Sequence, residues 1–258
     1  MPPDSLAETP RPQVSVITPT FGRPEMLPQA YKAFSTQTIE PIEWVVVDDS
    51  EQGSAFMAEL ADPRVRYIYL PARLSTGEKR NIAVEASSAD IIVQFDDDDY
   101  YAPGYIKTMI DYMEAEDADF VKLSAFFLYS KVHKQYAYWD LQQKDGLHFV
   151  WSSNPEVTLA RLADNAETRD RHLGYGFSYV FKKKVWEATP FLPIFWNQDT
   201  PFIRSALENG FNIGLLADET GICLHVLHKD NASISLPQYI IPDDRMYRIF
   251  QGRDAPYL

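Results

Sequence analysis

Apolar runs of strand length alternate with helical stretches through the first half of this 258-residue chain. The runs are rich in valine and isoleucine and carry few polar residues, which is typical of strands buried on both faces of a sheet. Strands are predicted at residues 14–18, 42–47, 65–70 and 91–95, and helices at residues 24–34, 55–60, 77–86 and 103–115. This order predicts an α/β fold in which a mostly parallel, Rossmann-like sheet has helices on both faces.

The second half of the chain is less regular in its pattern. Strands are predicted at residues 120–129, 131–139, 174–181 and 222–227. A helix is predicted from Gln198 to Asn209, because Gly210 stands where helices commonly end. Residues 151–171 are predicted as loop and short helix, and residues 233–258 as an irregular tail.

Charge and cysteine content exclude several classes of protein. The chain has 24 Lys and Arg against 37 Asp and Glu, and its net charge of -13 predicts that nucleic acid is not a partner. Cys223 is the single cysteine, which rules out a disulfide framework and favours a reducing compartment. The sequence shows no secretory leader and no apolar run of membrane-spanning length, so no transmembrane segment and a cytoplasmic location are predicted. Residues 1–13, rich in proline and polar groups, are predicted to be a disordered tail.

Three polar clusters directly follow predicted strands. They are Thr18-Pro19-Thr20, Asp48-Asp49 and Asp96-Asp97-Asp98-Asp99. Ligands of parallel sheets bind beyond the carboxyl ends of the strands, so these clusters are expected to converge. Adjacent carboxylates repel one another unless a cation lies among them, and Mg²⁺ and Mn²⁺ are bound by carboxylates together with substrate phosphates. The four aspartates therefore predict a metal–phosphate site, although a solvated acidic turn or a structural Ca²⁺ loop stays open from this stretch alone.

Several motifs, taken in order along the chain, resemble glycosyltransferase family 2. They are Val14–Thr20, Val45–Ser50, Lys79-Arg80-Asn81 and Phe95–Asp99, followed later by Trp196–Phe202. No glycine-rich dinucleotide turn and no P-loop follows the first strand, which argues against those two kinds of nucleotide site. The resemblance implies a GT-A fold, a nucleoside-diphosphate sugar of the UDP or GDP type, Mn²⁺ or Mg²⁺, and inverting transfer to a carbohydrate or other hydroxyl acceptor.

The resemblance also divides the chain and assigns roles on the donor side. It implies a GT-A domain over residues 14–230, with a nucleotide-sugar-binding half at 14–115, an irregular acceptor half at 116–230, and a C-terminal extension at 231–258. Nucleotide-sugar contacts are implied for Thr18, Pro19, Thr20, Asp48, Asp49, Arg80, Asp96 and Asp97. Metal ligands are implied at Asp96 and Asp98, with Asp99 sharing that role. Strand alternation predicts that the side chain of Asp97 points away from this metal.

On the acceptor side, the resemblance makes Asp199 the candidate general base. A carboxylate there could also simply stabilise the start of the predicted helix. The residue before it is Gln198, where the family usually has an acid, which could alter acceptor contacts. His225 and His228 are candidates to complete the metal site, and strand alternation predicts opposite faces for them, so that at most one does so. Acceptor contacts are predicted for Trp151, Tyr175, Trp196 and Gln198, with core packing as the alternative for the aromatic residues.

The sequence leaves two alternatives to a glycosyltransferase. A non-catalytic protein that binds nucleotide sugars or carbohydrates could share this fold, but the chain keeps both the metal-binding acids and the candidate base. A nucleotidyltransferase also needs a sheet and a metal. It normally has a glycine- and lysine-rich phosphate loop after the first strand, which this chain lacks.

Overall fold

The structure is a computed structural model that describes residues 11–229 and 234–250. The predicted disordered tail therefore lies outside the described residues except for its end at residues 11–13, where the Gln13 N–H donates to the Pro41 carbonyl. Within the described ranges, no helix is both long enough and apolar enough to cross a bilayer.

The helices and strands have the following bounds. The strands are β1 (Val14–Thr20), β2 (Ile42–Asp48), β3 (Val65–Tyr69), β4 (Ile91–Gln94), β5 (Tyr100–Tyr101), β6 (Phe120–Ser130), β7 (Gln135–Asp140), β8 (Gly146–Val150), β9 (Thr158–Leu162), β10 (Val180–Lys182), β11 (Ile213–Ala217), β12 (Cys223–Leu227) and β13 (Tyr239–Ile241). The helices are α1 (Leu27–Ser35), α2 (Ala55–Glu59), α3 (Thr76–Ala86), α4 (Tyr105–Ala115), α5 (Ala166–Leu173), α6 (Lys183–Ala188), α7 (Asp199–Glu208) and α8 (Asp243–Ile249), with a 3₁₀ turn at Gly176–Ser178.

The centre of the main sheet is parallel, as the sequence predicts. Strands β3, β2, β1 and β4 lie side by side, with Val14 opposite both Ile42 and Ile91. Strand β10 pairs antiparallel with β4 and with β6, and so joins this parallel part to the part built around β6. Strand β6 pairs parallel with β11 and β12 and antiparallel with β7. The predicted α/β fold with a mostly parallel central sheet is confirmed.

Helices cover both faces of this sheet because successive side chains of a strand point to opposite sides. Val16 of β1 packs in the core that includes Phe34 of α1, whereas its neighbour Ile17 packs in the core that includes Val84 of α3. All four side chains are completely buried. Burying a side chain of this size contributes about 1.5–3 kcal/mol, so β1 is stabilised from both sides and holds its carboxyl end in a fixed place.

In the second half of the chain, α6 and β11 were not predicted, and three further segments differ from the prediction. Residues 146–162, partly predicted as loop, form the β8–β9 hairpin. The strand predicted at 174–181 is confined to β10 and follows the 3₁₀ turn, because Tyr175 takes a left-handed backbone conformation that ends extended structure. The tail predicted to be irregular contains β13 and α8, since Met246 and Phe250 bury against Phe127 of β6.

Candidate functional site

A cavity of about 850 Å³ lies at the carboxyl ends of β1 and β4, where the predicted clusters were expected to converge. The start of α7 and the end of β12 also contribute to its lining. Its lining includes Pro19, Thr20, Arg23, Arg73, Lys79, Arg80, Asp96, Asp97, Asp98, Arg171, Tyr175, Gly176, Trp196, Gln198, Asp199, His225 and His228. The aspartates that follow β4 and the candidate base Asp199 thus line the same cavity.

Two cations of α3 reach the cavity because the start of this helix is fixed by a capping box. The Ser75 hydroxyl accepts from the Glu78 N–H at 3.2 Å, and Glu78 accepts from the Ser75 N–H at 2.8 Å. Lys79 and Arg80 follow directly and are both only 3% exposed. The Lys79 ammonium donates to Asp49 at 2.7 Å, and Arg80 forms an ion pair with Asp199.

The acidic cluster could hold a divalent cation. Oxygen atoms of Asp96, Asp98 and Asp99 lie within 4.8 Å of one another. Burial, reinforced by Asp99 and Asp98, raises the pKa of Asp96 to about 7, although Arg80 acts in the opposite direction. Burial and Asp98 likewise raise the pKa of Asp97 to about 6. A bound cation would relieve this repulsion, and carboxylate oxygens are the ligands that Mg²⁺ and Mn²⁺ prefer.

Asp97 lines the cavity but is not one of the three aspartates whose oxygens are grouped closely enough to share a cation. Its carboxylate accepts from the Thr20 hydroxyl at 2.6 Å and from the Arg23 guanidinium at 3.2 Å. Strand β4 ends at Gln94, and the chain turns through the aspartates, so the alternation of an extended strand no longer applies to them.

Both histidines face the acidic cluster, so the prediction of opposite faces is wrong. His225 Nδ1 lies 2.9 Å from Asp99, and His228 Nε2 lies 2.9 Å from Asp98 Oδ2. Strand β12 ends at Leu227, which frees His228 from the alternation of the strand. Burial alone would lower the pKa of His225, but the Asp99 carboxylate overcomes this effect and raises it.

The free nitrogen of His225 fits a metal site. Its Nε2 atom is buried and has no hydrogen-bond partner among the described residues, and the ring borders the cavity. Phe177 stacks on the ring, with centroids 4.5 Å apart, while Asp99 holds Nδ1. An imidazole whose second nitrogen is held by a carboxylate is the usual arrangement of a metal-binding histidine.

The aspartates after β2 lie next to the cavity but are already engaged. Asp49 accepts from Arg73 at 2.7 Å, from Lys79 at 2.7 Å and from the Leu74 N–H at 2.7 Å. Burial raises the pKa of this carboxyl, but Lys79 and the other donors outweigh it and lower the pKa. Asp48 accepts from the Tyr67 hydroxyl at 2.6 Å.

The residues that follow β1 divide between the cavity and the core. Pro19 and Thr20 line the cavity. The Thr18 side chain is completely buried and lies outside that lining, because its hydroxyl accepts from the Trp44 indole N–H at 2.9 Å.

Asp199 is the first residue of α7 and is held in place from two sides. Arg80 forms an ion pair with it and also lies 3.6 Å from Asp96, while the Gly176 N–H donates to Asp199 Oδ2 at 3.1 Å. The Asp199 carboxylate lies where a Cβ at position 176 would be, so any larger residue there would force the carboxylate to move. About a fifth of the Asp199 side chain stays exposed, on the side of the cavity.

The remaining acceptor candidates separate into lining and core residues. Tyr175, Trp196 and Gln198 line the cavity, and Trp196 is 70% exposed. The Oε1 atom of Gln198 is buried with no hydrogen-bond partner among the described residues. Trp151 is completely buried in the main core, so the prediction that it contacts an acceptor is wrong.

Four cations of the cavity had no predicted role. They are Arg23, Arg73, Lys79 and Arg171. Lys79 lies within a recognised motif and Arg23 closely follows another, so their positions were visible in the sequence. Arg73 and Arg171 lie in stretches with no motif, and only the fold brings them to the cavity.

The family model described as Glycosyl transferase family 2 matches residues 15–188. A curated relative, the uncharacterized glycosyltransferase EpsJ of Bacillus subtilis, is 24% identical over 95% of this chain and 70% of its own length. For several other curated glycosyltransferases, the matched part is less than half of the relative's own length.

Solved structures share the fold. TarS of S. aureus (residues 1–349), in complex with UDP-GlcNAc, has a TM-score of 0.63 and 17% identity over 92% of this chain and 64% of that chain. A mannosyltransferase from Pyrobaculum calidifontis, in complex with GDP-Man and Mn²⁺, has a TM-score of 0.60 and 15% identity over 86% of this chain and 59% of that chain.

Proposed function

The chain belongs to glycosyl transferase family 2, as its motifs predict, and from this premise we propose that it is a metal-dependent, inverting glycosyltransferase. It transfers a sugar from a nucleoside-diphosphate donor of the UDP or GDP type to an acceptor hydroxyl. The observation that carries this proposal is that a single cavity is lined by the Asp96–Asp98 acids and by Asp199, with Arg80 between Asp96 and Asp199. Structural neighbours bound to UDP-GlcNAc and to GDP-Man support a donor of this kind.

Asp96, Asp98 and the Nε2 atom of His225 would hold the divalent cation. When bound, this ion would offset negative charge on the departing diphosphate. Asp99 fits a supporting role better than a ligand role, because both of its oxygens lie 2.9 Å from His225 Nδ1 and one accepts from the Val226 N–H. It orients the imidazole rather than reaching the cavity.

The donor nucleotide would lie beside β1 and β2. Thr20 and Pro19 border this side of the cavity, and Asp49 lies just beyond them in contact with Lys79 and Arg73. Carboxylates at this place suit the N–H groups of a base or the hydroxyls of a ribose, and arginine suits phosphate. A bound nucleotide would therefore replace some of the ion pairs that Asp49, Lys79 and Arg73 make with one another.

Asp199 acts as the general base in this scheme. It would accept the proton of the acceptor hydroxyl as that oxygen attacks the anomeric carbon from the face opposite the leaving diphosphate. Positioned proton transfer of this kind contributes about 10²–10⁴-fold to the rate. Arg80 and the Gly176 N–H each hold one oxygen of the carboxylate, and its exposed part borders the cavity where an acceptor hydroxyl would approach.

The test is the Asp199→Asn variant, with Asp111→Asn as the matched control. Asp111 lies on α4 and its side chain is 58% exposed, so its change leaves the cavity intact. We expect Asp199→Asn to lose about 10²-fold or more in turnover while UDP or GDP still raises its melting temperature in the presence of Mn²⁺. Unchanged turnover would refute the base, and binding without any transfer or hydrolysis by the wild type would favour a non-catalytic binding protein.

A further inference from the structure

The Arg23 guanidinium lies directly against two carboxylates of the acidic cluster, those of Asp97 and Asp98. One of its guanidinium nitrogens lies 2.8 Å from Asp98 Oδ2 and 3.2 Å from Asp97 Oδ1. The other cations nearby are engaged elsewhere, since Arg73 and Lys79 bind Asp49. The Arg23 guanidinium therefore supplies the counter-charge of Asp97 and Asp98.

The backbone that carries Arg23 is fixed, so its side chain is the part that can move. The Gly22 N–H donates to the Ser50 hydroxyl at 2.7 Å, and the Met26 N–H donates to the Arg23 carbonyl at 3.0 Å. Gly22 takes a left-handed conformation with φ of 63°, which glycine adopts without strain. The Arg23 side chain keeps 29% of its surface exposed and borders the cavity.

A divalent cation and Arg23 would compete for the Asp98 carboxylate. Asp98 Oδ2 accepts from Arg23 and from His228 Nε2 at once, at 2.8 and 2.9 Å. A cation bound by the Asp98 carboxylate would lie beside this guanidinium and would repel it. An Arg23 side chain displaced from Asp98 could bind the donor diphosphate instead, because a planar guanidinium binds phosphate through two parallel hydrogen bonds.

We propose that Arg23 is a positioning residue that exchanges partners during donor binding. It neutralises Asp97 and Asp98 before the metal arrives, and it then turns to the diphosphate of the donor. The exchange makes metal and nucleotide bind cooperatively, because the metal releases the arginine that the diphosphate uses. This inference rests on the proposed donor site.

The experiment measures the binding of Mn²⁺ alone, by the loss of its free electron paramagnetic resonance signal, and the binding of UDP and GDP with and without Mn²⁺ by calorimetry. In Arg23→Gln, Mn²⁺ alone should bind about tenfold tighter than in the wild type, while the nucleotide with Mn²⁺ should bind about tenfold weaker. The nucleotide without Mn²⁺ should bind within about threefold of the wild type, so the ratio of nucleotide affinities with and without Mn²⁺, which measures the coupling, should fall.

Two further variants separate this role from a change in charge or in folding. Arg204→Gln removes one positive charge from an exposed ion pair with Asp170 on the surface, and it should match the wild type in both titrations. Arg23→Lys keeps the charge but loses the fork, so Mn²⁺ alone should bind within about threefold of the wild type while the nucleotide with Mn²⁺ binds about tenfold weaker.

The outcomes distinguish the two proposals. If the wild type binds Mn²⁺ and a nucleotide while Arg23→Gln and Arg23→Lys titrate like Arg204→Gln, the exchange by Arg23 is overturned and the donor site stands. If the wild type binds neither ligand, the proposed function and this inference fall together.

Discussion

Replacing Gly176 by alanine should displace the candidate base without changing any charged residue. A Cβ at position 176 would lie 2.5 Å from Asp199 Cγ and 2.8 Å from Oδ2. Favourable contacts between such atoms begin near ~3.5 Å, so the carboxylate has to retreat by about 1 Å. A misplacement of about 1 Å in a reacting group can cost about 10²-fold in rate.

The assay compares turnover of UDP- and GDP-sugars, by release of the nucleoside diphosphate, in the wild type and in Gly176→Ala. We expect kcat to fall about 10²-fold, because the displaced group acts in the chemical step. The donor KM should stay within about twofold of the wild-type value, because the collision lies on the acceptor side of the cavity. The overlap should also cost about 1–3 kcal/mol of stability, visible in urea unfolding.

Gly104→Ala is the matched control for this variant. Nothing lies within 4 Å of a Cβ at position 104, and this glycine lies at the start of α4, outside the cavity lining. Its turnover should equal that of the wild type. If Gly176→Ala also retains turnover within about threefold, the position of Asp199 does not limit the reaction and the reasoning from the collision is refuted.

Three further predictions address the metal, the pH dependence and the acceptor. Asp99→Asn should weaken Mn²⁺ binding about 10–100-fold by releasing the His225 ring, and an unchanged Mn²⁺ titration would exclude the supporting role. Burial raises the pKa of Asp119, but its ion pairs with two lysines outweigh burial and lower the pKa to about 2. An unfolded carboxyl titrates near ~3.9, so the stability advantage of the wild type over Asp119→Asn should be present above about pH 5 and disappear toward pH ~2, as urea unfolding at several pH values would show. A gap of constant size would contradict this assignment. Trp196→Ala should raise the acceptor KM while changing stability by less than about 0.5 kcal/mol, since the side chain is 70% exposed, and an unchanged acceptor KM would place the acceptor elsewhere.

The first half of the fold follows from the sequence because its pattern is local. Each of the four predicted strands and four predicted helices there appears within three residues of its predicted bounds. Strands such as β2 are buried on both faces and so read as unbroken apolar runs, and a capping box marks the start of α3. The second half lacks such signals, and the β8–β9 hairpin and α8 were not predicted.

The convergence of Thr20 and the aspartates after β4 was largely predictable, whereas Asp199 was assigned to the site only by the family resemblance. Parallel strands end at one edge of the sheet, so motifs placed after them meet without any knowledge of side-chain contacts. The directions of individual side chains were not predictable in this way. Asp97 and His228 lie just beyond the ends of their strands, where a two-residue period no longer describes the backbone.

The sequence by itself determined the family, the α/β fold and the edge of the sheet at which the site lies, because strand burial and motif order are properties of short segments. Only the tertiary structure decided which groups pair within the site. It placed Arg23 on Asp97 and Asp98, His225 on Asp99, and Arg80 between Asp96 and Asp199. Apart from the contact of Arg80 with Asp96, each of these contacts joins residues more than 70 positions apart in the sequence. Their geometry depends on how the whole sheet and its loops pack, which no local pattern records.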